Sequence, residues 1–101
     1  MSRRIIIRAE AEADISAAAI WYQKQQSGLG DEFLIGIQTA IESAAANPRQ
    51  YPRLRRKPEV RRVMAKRFPY RLFFVLRPDA IVVFRVLHSA RHDREWKRPA
   101  K

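Results

Sequence analysis

The sequence predicts an α+β domain in the order β-α-α-β-β-β, with a helical hairpin packed on one face of a small, mostly antiparallel sheet. Two amphipathic stretches at helical spacing fill the first half of the chain. A run from Phe68 to Asp93, rich in Val, Ile, Phe and Tyr, dominates the second. Neither half stands alone, because the helices lack a sheet and the sheet lacks a cover. One two-layer domain over residues 1–101 follows, with residues 91–101 as a charged C-terminal tail.

The elements follow in order. Arg4 to Arg8 is a short β-branched run and reads as a first strand, joining the others as an edge or parallel neighbour. Ala9 to Asp14 puts three acids where a helix dipole favours them, and that helix should cover about Ala11 to Gln25. Ala11, Ile15, Ala18, Ala19 and Tyr22 share its inner face. Two glycines between Gln23 and Gly30 turn the chain. A second helix over about Asp31 to Ala46 carries the stripe Leu29, Phe33, Ile37, Ala40, Ile41 and Ala44, and Asn47-Pro48 ends it. Pro48 to Pro58, with three prolines and five basic residues, reads as an irregular connector. Arg61 to Arg67 is a strand weaker than the two after it.

Those two form a hairpin around Arg77-Pro78-Asp79-Ala80, where proline presets a turn dihedral and aspartate bonds its own backbone. Alternation predicts an odd loop, with Phe74 opposite Phe84 and Leu72 opposite Val86. Leu72, Phe74, Leu76, Val82, Phe84 and Val86 would then face the helices, and Arg71, Arg77 and Arg85 the other side.

The bulk properties narrow the function. The chain has 101 residues, 47% of them hydrophobic, which suits one small globular core. It contains no cysteine, and so neither a disulfide framework nor a thiolate metal site. A reducing cytoplasm is the expected location. No run is long enough to span a bilayer, and Met1-Ser2-Arg3-Arg4 is followed only by three isoleucines, too short for a secretion signal. There is no glycine-rich phosphate loop, no Cys/His metal constellation and no local serine-nucleophile signature, so no cofactor or metal is expected. The net charge of +11 is segregated: residues 1–50 sum to −1 and residues 51–101 to +12. The basic half should meet something anionic, such as nucleic acid, a ribonucleoprotein or an acidic protein.

An ordered set of residues carries a family likeness. It comprises Ala11-x-x-Asp14-Ile15 with Tyr22; Phe33, Ile37 and Ile41; Asn47-Pro48 with Tyr51-Pro52; Arg67-Phe68-Pro69-Tyr70-Arg71; and Val86-Leu87-His88-x-x-Arg91 with Trp96. Over nearly its whole length the chain resembles the RelE/ParE superfamily of toxins from bacterial type II toxin–antitoxin, or plasmid-stabilisation-like, systems. The resemblance implies a cognate antitoxin as partner, no membrane, and one of two activities. The RelE-like branch is a ribosome-dependent endoribonuclease acting on mRNA. The ParE-like branch poisons DNA gyrase and is not itself a nuclease.

Metal-free RNA cleavage needs a base, cations on the phosphate and an acid. Arg61, Arg62, Arg71, Arg85 and Arg91 supply cations. The RNA-cutting branch usually ends in an arginine closely followed by a tyrosine or histidine, whereas here no tyrosine follows Tyr70. His88 and Arg91 remain the nuclease candidates, with His92 the other late histidine. The missing late tyrosine and the long helices favour the ParE-like branch; the basic charge suits either. His88, ending a strand, also reads as an edge-of-core residue bonded to backbone, and Tyr70 as a packed aromatic. The expected surface for target or antitoxin binding comprises Arg62, Arg71, Arg85 and Arg91, with His88 at its rim. Trp96 is a candidate anchor there, though a tail tryptophan folded back on the sheet is the simpler reading. The Arg53–Lys57 cluster reads equally as a phosphate holder or a solvated loop. A plain basic nucleic-acid-binding module without toxicity is the third alternative.

Overall fold

The computed structural model describes residues 2–90, 96 and 97. Its elements are β1 (Arg4–Ile7), α1 (Ala9–Gln25), α2 (Leu29–Ala46), a 3-10 turn (Pro48–Gln50), β2 (Arg53–Arg55), β3 (Val60–Met64), β4 (Tyr70–Leu76) and β5 (Ala80–His88). The strands form one sheet in the order β1-β5-β4-β3-β2. β1 runs parallel to β5, and the other neighbours are antiparallel. The helices cover one face, so the expected α+β architecture is present with one added strand. That strand, β2, lies in the stretch read as an irregular connector. Its only apolar residue is Leu54, and it pairs with β3 through a register shift between Arg53 and Arg55. Prolines on both sides and a run of charge hide it from a pattern reading.

The helical hairpin closes tightly. Gly28 adopts φ +89°, a left-handed conformation that L side chains rarely adopt. The Gln23 side-chain Oε1 accepts from the Gly28 and Gly30 backbone N–H groups, both at 3.1 Å. A Cβ on Gly30 would meet the Ala19 carbonyl oxygen at 2.7 Å, so the approach of α2 to α1 requires glycine there. The inner layer joins Phe33, Ile37, Ile41 and Ala44 of α2 and Ala11 and Ala18 of α1 to Val63, Leu72, Phe74, Leu76, Ile81, Val83 and Val86 of the sheet.

The hairpin register departs from expectation at one end. Leu72 lies opposite Val86 as expected, but Phe74 lies opposite Val83. Between these points β5 carries one residue more than β4, and the extra residue is Phe84. The loop is therefore even, with residues 77–80 between paired Leu76 and Ile81, closed by an Arg77 N–H to Ala80 carbonyl bond of 2.9 Å. Uninterrupted alternation assumed one face per parity along the whole of β5. The bulge reverses parity midway, so Ile81 and Val83 face the helices while Val82 and Phe84 turn to the open side. Phe84 and Val82 were expected among the helix-facing residues, and both are inverted.

Phe33 is fully buried at the centre of the inner layer. Phe33→Ala is expected to cost roughly 3–5 kcal/mol, from lost transfer energy and the residual cavity. Urea denaturation measures it, and a loss well under about 1 kcal/mol would show that α2 does not anchor the core.

Candidate functional site

Arg62, Arg71 and Trp96, among the expected site residues, lie on the sheet face turned away from the helices. Its lower layer is apolar: Val60, Phe73 and Leu87 are buried there, with Leu54, Val75 and Phe84 packed at the margin. Trp96 seals it. The indole stacks on Phe73 at a centroid distance of 6.0 Å, meets Phe84 edge-on at 6.0 Å, and is only 6% exposed. The Arg55 guanidinium lies 5.0 Å from the indole centroid on this same assembly. Trp96 is thus folded back as a lid on the sheet, the simpler of its two expected readings.

The expected basic residues divide. Arg62 pairs with Phe73 and Arg71 with Met64, which makes the two arginines diagonal neighbours on the open face. Both are half-buried. Arg85 is engaged elsewhere: its Nε donates to Asp14 Oδ2 at 2.9 Å and its Nη2 to Oδ1 at 3.4 Å. Asp14 Oδ2 also accepts the Val86 backbone N–H at 2.9 Å. Arg85, expected on a surface with Arg62 and Arg71, thus forms an ion pair between β5 and α1. The sign in the sequence is Asp14 itself, an acid set inside the apolar stripe between Ala11 and Ala18. Arg91, His92 and the rest of residues 91–95 lie outside the described residues, so Arg91 has no assigned position.

Arg61 is also structural. It donates to Glu59 at 2.8 Å and to the Tyr51 carbonyl at 2.6 Å, tying β3 to the 3-10 turn. Arg67 pairs with Glu32 at the start of α2.

His88 closes β5 opposite Tyr70. Its Nδ1 accepts the Ala90 backbone N–H at 3.0 Å, and its ring stands edge-on to Tyr70 at 5.2 Å. With Nδ1 engaged as an acceptor, the neutral ring carries its proton on Nε2. Tyr70 in turn touches Phe33 and Tyr22. Burial raises its pKa above the ordinary 10.0, with Tyr22 and the Asp14 carboxylate adding to the shift. A phenol shifted this way yields even less phenolate at neutral pH, and so serves poorly as a base. Among the described residues there is no cluster of three or more His, Cys, Asp or Glu placed to hold a metal ion. No helix among them is long and apolar enough to cross a membrane.

These features define a small two-layer domain with a cationic, partly apolar outer sheet face and its two well-placed aromatic hydroxyls drawn into packing. A family model described as the ParE toxin of the type II toxin–antitoxin system, parDE, matches residues 5–93, and the chain belongs to that family. A chain of the chromosomal ParDE TA system from P. aeruginosa superposes with a TM-score of 0.69 at 19% identity, over 86% of this chain and 96% of that one. At that identity the likeness is one of fold. No curated protein matches the sequence significantly.

The tyrosine cluster sets a pH dependence. Burial raises the Tyr22 and Tyr70 pKa values in the folded state above 10.0, so the unfolded chain loses these protons first. The associated stability is intact below that pH and is lost as pH rises through the folded values. Thermal melts from neutral to strongly alkaline pH should show this loss, and a Tyr22→Phe/Tyr70→Phe double variant should flatten it. An unchanged alkaline profile in the double variant would assign the loss to other groups.

Proposed function

We propose that this ParE-family chain acts as a gyrase-poisoning toxin by surface docking and is held inactive by its cognate antitoxin. The observation that carries the reading is the state of the acid–base candidates. His88 Nδ1 is engaged by the Ala90 N–H, and Tyr70 is packed among rings with its pKa raised. Arg62 and Arg71 lie side by side on the open face and add to its positive charge. Ribosome-dependent cleavage of mRNA needs a proton donor and acceptor beside such cations, and among the described residues neither His88 nor Tyr70 offers an unengaged base for that work.

The antitoxin reading rests on β1. It is an edge strand, and its Arg4 N–H and the following Arg8 N–H point inward, to the Asp79 and Val83 carbonyls at 3.0 and 2.9 Å. The alternation of a parallel ladder then turns the Ile5 and Ile7 main-chain groups outward. Beside this edge lie a cavity of about 590 Å³ next to Ile5 and Thr39, and one of about 240 Å³ lined by Ile15, Leu34 and Ile41. A partner with an extended segment and an amphipathic helix fits the edge and groove together. β2 is the poorer edge, with three residues and an irregular register.

The paired assay uses purified protein with gyrase and plasmid, and with translating ribosomes. Loss of supercoiling without message cleavage is expected. His88→Ala should leave toxicity mostly intact, whereas charge reversal at Arg71 or Arg91 should weaken it. If message is cut instead, with supercoiling unaffected, and His88→Ala lowers cutting by about a hundredfold or more, the nuclease reading replaces this one.

Ile5→Pro removes an outward N–H at an edge position, where proline is tolerated. It should weaken antitoxin binding by about tenfold, the loss expected for one hydrogen bond. Isothermal titration checks this, with a melting curve confirming the fold. Unchanged affinity would move the antitoxin strand away from β1.

A further inference from the structure

We propose that a cleft on the open sheet face, between Trp96 and the start of α1, is a docking site for an acidic peptide segment presenting one large apolar side chain between carboxylates. The cleft has a volume of about 170 Å³, room for one such side chain. Val60, Val75 and Phe84 form its apolar floor and Trp96 one wall, while Arg8, Arg55 and Lys97 stand at its rim. The three cations are exposed, and among the described residues no acid lines the cleft. An apolar anchor alone would not use the rim, and a bare anion would not use the floor. A carboxylate-flanked apolar residue uses both, with the rim charges steering approach and the floor excluding water.

A nucleobase has the right sign of charge nearby but lacks a platform. Trp96 is 6% exposed, with Phe73 stacked against it and the Arg55 guanidinium over its ring. Single-strand binding relies on open aromatic faces, and this one is covered. The site shares no lining residue with the two grooves beside β1, and it does not depend on which molecule the toxin attacks.

The probe is a pentapeptide with phenylalanine between pairs of glutamates, titrated into the isotope-labelled chain and followed by amide and indole NMR signals. Saturable shifts are expected at Val60, Val75, Phe84 and the Trp96 indole. Replacing the central phenylalanine by serine should weaken binding by about tenfold, as should Arg55→Glu. Lys97→Glu, at an exposed position, gives a second charge test should Arg55→Glu disturb the indole packing. Val75→Phe should fill the cleft and abolish the shifts while the melting temperature holds. Equal binding of the serine peptide, shifts spread over the basic half, or no binding would each overturn the proposal. So would a short oligothymidylate that shifts the same signals and binds more tightly than the peptide, which would make the cleft a nucleic-acid site.

Discussion

The Asp14 carboxylate holds the arrangement on which the two-sided sheet depends. Without the bulge at Phe84, strict alternation along β5 would keep Phe84 under the helices. With it, Phe84 and Arg85 both stand opposite Phe73, and the half-buried charge needs a partner. Asp14 accepts from both the Arg85 guanidinium and the Val86 N–H, so it satisfies the half-buried cation and a backbone donor at the irregular point of the ladder. Hydrogen bonds to a charged group contribute roughly 1.5–3 kcal/mol. The bulge and the ion pair thus meet at one point of β5, where the carboxylate offsets the cost of holding a half-buried charge.

The consequence is a sheet with apolar residues on both faces. The helix side carries the main core, and the open side carries a second, smaller cluster around Phe73 and Leu87. A two-layer domain would ordinarily leave that second face wet. Here Trp96 covers its centre, and the neighbouring cations Arg55 and Lys97 lie over the indole at 5.0 and 5.7 Å. Both clusters meet in β4, where Leu72 and Phe74 point one way and Phe73 the other, all three fully buried.

Function follows from how this scaffold distributes charge and aromatic groups. The helical half is nearly neutral and the sheet half strongly basic, so the cations gather around the strands and the open face. Among the described residues, Tyr22 and Tyr70 sit in the aromatic stack and His88 Nδ1 accepts a backbone N–H.

The sequence by itself determined the class of fold, the helical hairpin, the inner stripe of α2 and the hairpin strands. Each of these is a local periodic signal repeated over several turns or pleats, and Phe33, Ile37 and Ile41 are buried where that period puts them. It also marked His88 as a strand-end residue able to bond backbone. The tertiary structure alone decided the register of β4 against β5 near the turn, the partner of Arg85 and the existence of β2. These depend on a single inserted residue, on one acid seventy-one positions distant from its arginine, and on a three-residue edge recruited by a neighbour. None leaves a period in the chain, because each is a contact between segments whose separate sequences are compatible with several pairings, and only their mutual packing selects one.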